Sequence, residues 1–232
     1  GGVGVVATPL LALTIPVPEA AALLLPLLII MDLFSLYYYR SRFDRASLNL
    51  LLPAALVGVA LGAFFFSYFS DNERILKIGI GVIALLFLLF QAGRAIIFGV
   101  LEKYHPPAAV GLLLGIISGF GSTLAHVGGP PANMYLLPKK LPRDLFVGTN
   151  VILFTILNLV KLIPYSYLGL LRVGNISTIL VLTPLCFVGV WLGLYLNRRF
   201  TDYWFNWFVY SLLLMTGLEL VSGKNILDLF VR

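Results

Sequence analysis

Residues 119–138 read Gly-Phe-Gly-Ser-Thr-Leu-Ala-His-Val-Gly-Gly-Pro-Pro-Ala-Asn-Met-Tyr-Leu-Leu-Pro, and this stretch decides the fold. It lies in a hydrophobic sequence, yet it carries polar side chains and a Gly-Gly-Pro-Pro break at 128–131. Inside a bilayer, irregular backbone is tolerated only where protein or a water-filled cavity surrounds it. The break therefore predicts the interior of a membrane protein and a ligand site at that point.

The two prolines of the break predict how the chain continues. Proline suits the first turn of a helix, where its missing N–H costs nothing. We therefore expect one half-helix to end near residues 124–126 and a second to begin near Pro130. The second half-helix would point unpaired N–H groups and the positive end of its dipole at the break, an arrangement that binds anions.

The composition indicates a membrane protein. Of the 232 residues, 60% are hydrophobic and 11% are charged, whereas a soluble domain has about 25% charged residues. Apolar runs of about 20 residues recur, which predicts an all-α, polytopic helical membrane protein. The basic residues are scattered, so we expect no nucleic-acid partner.

The sequence offers little to hold a metal or a cofactor. The single cysteine, Cys186, lies in an apolar run and is interpreted as a packing residue. We expect no metal and no cofactor. The pattern Gly-x4-Gly-Lys-Ser/Thr is absent from the sequence, so we expect no direct drive by ATP.

The hydrophobic pattern divides the chain into two transmembrane repeats. We predict the first at residues 1–100, a connector at 101–107 and the second repeat at 108–232. The first begins with the Gly-rich segment Gly1–Gly4 and a short apolar half-helix, and we expect a matching half-helix before Gly1. The full spans are predicted at residues 20–38, 48–69, 75–98, 145–168, 176–196 and 203–221.

Two features link the repeats. Each repeat contains a span with the pattern Pro-x4-Gly-x3-Gly, which lets membrane helices approach closely. These residues are Pro53, Gly58, Gly62, Pro184, Gly189 and Gly193. The positive-inside rule favours a segment 108–138 that dips in and returns to the same side. Each repeat is then a broken, re-entrant segment plus three spans, and this odd number inverts the second repeat.

Several motifs of the second half occur in a characteristic order. They are residues 119–126, 128–131, 135–138 and 143–150, followed by Asn158 and Lys161. In this order they resemble the sulfite exporter TauE/SafE family, also called the toluene-sulfonate uptake permease family. The segment Gly1–Gly4 with Pro9 is similar to the first-repeat motif of that family. The first half departs from the pattern, because Leu24-Leu25-Pro26 stands where the second has Gly148-Thr149-Asn150.

The resemblance implies a multi-pass secondary transporter of the cell (inner) membrane that works as an exporter. Its implied substrates are small sulfur-containing oxyanions such as sulfite, sulfoacetate or related organosulfonates. We expect this oxyanion and the lipid bilayer as partners, and a homodimer as the assembly. No catalytic residue is expected, because the implied function is transport.

The candidate site residues lie at a Gly-rich break or on one side of the span that follows it. The candidates for substrate binding are Gly2, Gly4, Ser122, Thr123, His126, Gly128, Gly129, Pro130, Pro131, Asn133, Thr149, Asn150, Asn158 and Lys161. The candidates for proton coupling are Asp32, a carboxylate inside a span, and His126.

The polar residues of the break also allow structural interpretations. Ser122 and Thr123 can bond back to carbonyls of their own helix. His126 can be a packed, neutral histidine that bonds a freed carbonyl, and Asn133 can cap the second half-helix. The sequence leaves these alternatives open.

Alternatives also remain for the span residues and for the function. Lys161 can extend to the membrane interface, and Asp32 can pair with Lys161 or with a backbone donor. An anion channel is the nearest alternative function. An intramembrane hydrolase that uses Ser122 and His126 is a further one, although the sequence lacks the Gly-x-Ser-x-Gly nucleophile elbow.

Overall fold

The computed structural model describes residues 3–69, 72–101, 106–171 and 202–223, together with Pro184 and Val188. Its helices are α1 (Val3–Ala12), α2 (Val17–Tyr39), α3 (Arg45–Phe69), α4 (Glu73–Leu101), α5 (Ala108–Ala125), α6 (Gly129–Leu136), α7 (Arg143–Tyr167) and α8 (Asp202–Ser222). A 3-10 helix, Leu137–Lys139, extends α6. These ranges contain no strand, so the all-helical class is confirmed. The predicted span 176–196 lies outside the described residues, apart from Pro184 and Val188.

Four of these helices are long and apolar enough to cross a bilayer, namely α2, α3, α5 and α7. Their outward faces carry large hydrophobic side chains that are more than half exposed. Phe34 is 58% exposed, Phe64 is 68% exposed and Ile163 is 60% exposed. Such a surface is compatible with lipid and not with water, so the described part of the chain forms a multi-pass membrane protein.

The central contact of the bundle is a close crossing of α3 and α5. A Cβ on Gly119 would overlap the Ala55 carbonyl, and a Cβ on Gly58 would lie 2.8 Å from the Phe120 nitrogen. A Cβ on Gly62 would lie 2.8 Å from Thr123 Cβ. Glycine removes these overlaps, so Gly58 and Gly62 allow the close approach that their spacing predicts. Gly189 and Gly193 lie outside the described residues.

The break between α5 and α6 turns the chain back on itself. The hydroxyl of Ser118 donates to the Gly128 carbonyl at 2.7 Å. Further along, a Cβ on Gly111 would lie 2.6 Å from Tyr135 Cε2. Residues near the start of α5 and the end of α6 are therefore neighbours. Around this pair, α2 packs on α7, α4 packs on α8, and α1 contacts α2 and α8.

Two segments meet at one end of the bundle, namely residues 40–44 before α3 and residues 139–144, which lead from the 3-10 helix into the first turn of α7. Arg42 Nη1 lies 2.7 Å from Asp144 Oδ2. The Asp44 N–H donates to Thr149 Oγ1 at 2.9 Å, and a Cβ on Gly148 would overlap the Arg42 carbonyl. Gly148 and Thr149 therefore serve the contact between the two segments.

Asp44 caps α3 at this end of the bundle. Its Oδ2 accepts hydrogen bonds from the N–H and the hydroxyl of Ser47, and Lys139 Nζ lies 3.9 Å away. The Ser47 bonds, with a smaller contribution from Lys139, hold the pKa of the Asp44 carboxyl below its usual value. The ionised carboxylate is therefore the form that stabilises the start of α3.

Candidate functional site

The helix break occurs where the Gly-Gly-Pro-Pro motif predicts it. Helix α5 ends at Ala125, and His126 takes the left-handed conformation with φ 54°. The His126 N–H donates to the Ser122 carbonyl at 3.1 Å, and the Val127 N–H donates to the Gly121 carbonyl at 3.0 Å. These bonds satisfy the last carbonyls of α5, as a left-handed cap does.

The start of α6 leaves two backbone donors unpaired. Neither the Gly128 nor the Gly129 N–H donates a hydrogen bond within the described residues. Pro130 and Pro131 have no N–H to offer. The start of α6 therefore offers two adjacent glycine amides and the positive end of the helix dipole.

The start of α1 packs directly on the break. Gly4 has no side chain, and a Cβ placed there would overlap His126 Cβ and lie 3.0 Å from the His126 carbonyl oxygen. Only glycine allows this approach. A residue from the Gly-rich start of the chain and a residue from the second break are thus in contact.

A cavity of about 550 Å³ lies beside the break. Helices α1, α2, α4, α5, α6 and α7 each contribute to its wall. Its polar lining residues are Asp32, Ser35, Ser122, His126, Asn133, Asn150 and Asn158. Apolar side chains that include Phe87, Phe90, Phe146 and Phe154 form much of the remaining wall.

Most of the sequence-predicted site residues line this cavity. They are Gly4, Asp32, Ser122, His126, Gly129, Pro130, Asn133, Asn150 and Asn158. Others do not line it, namely Thr123, Gly128, Pro131, Thr149 and Lys161. Gly2 lies outside the described residues. Thr123 is fully buried and its hydroxyl donates back to the Gly119 carbonyl at 2.9 Å, which is the structural alternative for this residue.

Lys161 is fully buried and does not extend to the interface. Its Nζ lies 3.0 Å from the Ser122 carbonyl oxygen, 3.1 Å from Ser122 Oγ and 3.0 Å from His126 Nδ1. His126 Nε2 lies 2.9 Å from the Ala21 carbonyl oxygen. Within the described residues, the side chains of Ser122 and His126 are not hydrogen-bonded to each other, so the Ser-His pair of the hydrolase alternative is not formed.

Asp32 is paired with a residue that the sequence alternatives did not name. Its Oδ2 accepts a hydrogen bond from Asn158 Nδ2 at 2.6 Å, and both residues line the cavity. Asn158 lies one turn before Lys161 on α7. The two polar residues of this turn therefore have different partners. Asn158 bonds Asp32, whereas Lys161 contacts Ser122 and His126 at the break.

Two asparagines at the cavity have a side-chain oxygen without a hydrogen-bond partner in the described structure. Asn133 makes no side-chain hydrogen bond within the described residues and does not cap α6. Asn150 donates back to the Phe146 carbonyl at 3.1 Å, and its amide oxygen is buried without a partner in the described structure. Unsatisfied polar atoms beside a cavity are expected where a ligand or water completes the bonding.

Two residues near the break were missed by the sequence analysis. Ser118 bonds Gly128 across the break, as described above, and Tyr165 donates to the Thr123 carbonyl at 2.6 Å. Tyr165 follows Lys161 by four residues, so both lie on one face of α7. That spacing was a usable signal for Tyr165. No group of three His, Cys, Asp or Glu side chains forms a metal cluster in the described part of the chain.

Comparison with known families gives one result. The family model described as "Sulfite exporter TauE/SafE" matches residues 1–220 of the 232 residues. No curated protein and no solved structure matches the chain.

Proposed function

Because the chain belongs to the sulfite exporter TauE/SafE family, we propose that it is a secondary transporter of the cell (inner) membrane and works as an exporter. Its substrate is a small sulfur-containing oxyanion such as sulfite, sulfoacetate or a related organosulfonate. The observation that carries this proposal is the cavity beside the break, whose wall includes the start of α6. Gly129, Ser122 and Asn133 all line that cavity.

An oxyanion in a water-poor site needs compensation, because an unpaired buried charge is very costly. The start of α6 supplies roughly half a positive charge, and the Gly129 amide supplies an N–H donor at the cavity wall. Asn133 adds an uncommitted amide side chain. These groups suit the three oxygens of a sulfonate or sulfite, which accept several hydrogen bonds at once.

The apolar part of the wall supports an organic substrate as well as an inorganic one. A cavity of about 550 Å³ is larger than an inorganic anion requires, and phenylalanines of two helices, α4 and α7, line it. An alkyl or aryl group attached to a sulfonate would bury apolar surface against Phe87, Phe146 and Phe154. The polar end of such a substrate would face the break.

Two inverted repeats with re-entrant broken segments are the proposed architecture. Tyr135 against Gly111 supports re-entry, since the chain returns towards the level at which it entered. The contact of residues 40–44 with residues 139–144 supports a location of both segments on the same membrane face. The contact between Gly4 and His126 supports convergence of the two Gly-rich breaks near mid-membrane.

For proton coupling, the geometry favours Asp32 over His126. Both ring nitrogens of His126 have partners, and one partner is the Lys161 ammonium. A protonated His126 would place a second positive charge 3.0 Å from Lys161 Nζ. Within the described residues, Asp32 has one hydrogen-bond partner, the neutral amide of Asn158, and it lines the cavity, so it is accessible to a proton that travels with the substrate.

Anion-dependent thermal stability tests the proposed function. Purified protein in detergent is heated with sulfite, thiosulfate, sulfate, sulfoacetate or chloride. A substrate at 100 times its Kd stabilises the folded state by about 2.7 kcal/mol, which corresponds to a rise in Tm of about 5–10 °C. We expect this rise with sulfite or an organosulfonate. Equal effects of all five anions, chloride included, would contradict the proposal.

A variant supplies the matched control for this assay. Asn133→Ala removes the uncommitted amide without breaking any hydrogen bond of the described structure. The variant should keep its Tm without ligand and show a smaller anion-dependent rise. An unchanged rise would show that Asn133 does not contact the anion.

A further inference from the structure

Lys161 is a buried lysine, and in its ammonium form all of its donors have an acceptor in reach. An ammonium group has three N–H donors. Its three neighbours within hydrogen-bonding distance are the Ser122 carbonyl oxygen at 3.0 Å, Ser122 Oγ at 3.1 Å and His126 Nδ1 at 3.0 Å. The donors and the acceptors match one to one. No N–H of Lys161 is left for a substrate, and the residue does not line the cavity.

The contacts of His126 fix its tautomer. His126 Nε2 faces the Ala21 carbonyl oxygen at 2.9 Å, and a carbonyl oxygen only accepts. The proton of the neutral ring therefore belongs on Nε2, and Nδ1 is an acceptor. Lys161 is then the donor in its contact with Nδ1. Lys161 and His126 therefore fix each other's side-chain position at the break.

Ser122 connects this buried group with the cavity. Its Oγ accepts the Lys161 N–H, while the residue itself lines the cavity wall. The Ser122 hydroxyl has no acceptor within the described residues, in contrast to Thr123, whose hydroxyl bonds Gly119. A hydroxyl that accepts a bond from a cation becomes a stronger donor, because a chain of hydrogen bonds polarises its members.

We propose that Lys161 is a positioning residue that acts on the transported anion through Ser122. The ammonium holds Ser122 Oγ by its lone pair, so that the hydroxyl proton is directed into the cavity and donated to an anion oxygen. The positive charge of Lys161 then stabilises the bound anion from behind the wall, without direct contact. This inference rests on the proposed function, since it assigns one more donor to the same anion site.

A purely structural role for Lys161 makes different predictions. If Lys161 only joined α7 to the break, its removal would lower stability, and Ser122 would contribute to binding independently. If Lys161 acts through Ser122, the two substitutions have a shared effect. A double-mutant cycle separates the two cases, because residues that act as one unit do not give additive losses.

The experiment measures sulfite binding to purified protein by isothermal titration calorimetry. The variants are Ser122→Ala, Lys161→Met and the double variant. Loss of a hydrogen bond to a charged ligand weakens binding by about 10- to 100-fold. We expect Ser122→Ala and Lys161→Met each to show a loss of this size, and the double variant to lose no more than the weaker-binding single variant. Losses that multiply in the double variant would overturn the proposal.

Two further measurements keep the test decisive. Ser122→Ala leaves Lys161 with two of its acceptors, so it tests the relay even if Lys161→Met does not fold, and wild-type affinity in this variant would overturn the proposal. Tyr165→Phe is the control, because it removes a buried hydrogen bond one turn further along α7. It should lower the Tm and leave the sulfite Kd unchanged. If the wild-type protein binds none of the anions, the proposed function fails, and the relay fails with it.

Discussion

Gly4→Ala tests whether the start of the chain and the break form one site. The added methyl group would overlap His126 Cβ and lie 3.0 Å from the His126 carbonyl oxygen. Favourable contacts between carbon atoms occur at about 3.5–4.0 Å. The start of α1 and the break must therefore separate by roughly 1 Å to accept the methyl group.

This separation has a cost that can be worked out. Overpacking costs about 1–3 kcal/mol, and alanine recovers about 0.5–1 kcal/mol relative to glycine in a helix. The net loss of about 1–2 kcal/mol corresponds to a decrease in Tm of about 2–8 °C for a chain of this size. Because His126 and Ser122 share Lys161, a displaced His126 also disturbs the cavity wall, and anion binding should weaken about tenfold.

The matched control is Gly79→Ala on α4. A Cβ at Gly79 would lie 3.8 Å from Phe65 Cε1, which is an ordinary contact. This variant should keep or slightly raise the Tm and should bind sulfite as the wild type does. Differential scanning fluorimetry gives the Tm and calorimetry gives the Kd. If Gly4→Ala has the same Tm and Kd as Gly79→Ala, the start of α1 does not pack on the break in solution.

Further variants test other parts of the description. Gly129→Leu places a side chain at the cavity wall and should abolish anion-dependent stabilisation while the ligand-free Tm changes little; retained stabilisation would show that the anion binds elsewhere. Asp32→Asn should remove the pH dependence of sulfite transport into vesicles, and an unchanged pH profile at normal expression would exclude coupling through this residue. Asp44→Ala removes the cap of α3 and should cost about 1 kcal/mol at neutral pH. The pKa of Asp44 is lower in the folded state than in the unfolded state. The cap therefore contributes fully above about pH 4, and its effect is lost as the pH falls through the folded-state pKa. A difference from wild type that persists unchanged at low pH would contradict this. Single cysteines at Arg40 and Lys140 should be labelled from the same side of the membrane, and opposite labelling would exclude re-entry.

The break was predictable because its chemistry is local. Two prolines and two glycines at 128–131 determine where hydrogen bonding must stop and where a helix can start again. The observed end of α5 at Ala125 and start of α6 at Gly129 follow from those residues alone. The spacing of Gly58 and Gly62 also predicted a close helix approach at α3, whereas the identity of the partner, α5, came only from the structure.

The direction of the polar side chains was not predictable in the same way. Asn150, Asn158 and Lys161 lie along one side of α7, and the sequence suggested a single polar wall. In the structure the first two line the cavity, while Lys161 contacts the break. A change of about one helical turn brings a different neighbour into reach, and the neighbour comes from α2 for Asn158 but from α5 for Lys161. Only the packing of the three helices decides this.

Long-range pairs explain the remaining differences. Thr149 was a candidate for substrate binding because of its motif, yet its hydroxyl accepts the N–H of Asp44, 105 residues away in sequence. Gly148 in the same motif allows the Arg42 carbonyl to approach. The residues of a motif can thus serve a contact between two segments as readily as they serve a ligand. A single sequence does not separate these two roles.

The charges around the cavity connect anion binding with proton binding. The α6 terminus contributes roughly half a positive charge and Lys161 contributes one from behind the wall, while an ionised Asp32 contributes one negative charge from the wall itself. With Asp32 ionised, the surplus of positive charge that is available to an anion is small. With Asp32 protonated, the positive charges are no longer opposed. Under the proposed coupling through Asp32, anion and proton favour each other's binding, and this coupling is reciprocal by thermodynamic linkage. Asn158 holds the Asp32 carboxyl in either state, because its amide offers both a donor and an acceptor. A neutral partner at this position allows Asp32 to change charge without loss of its contact, which a lysine partner would not allow.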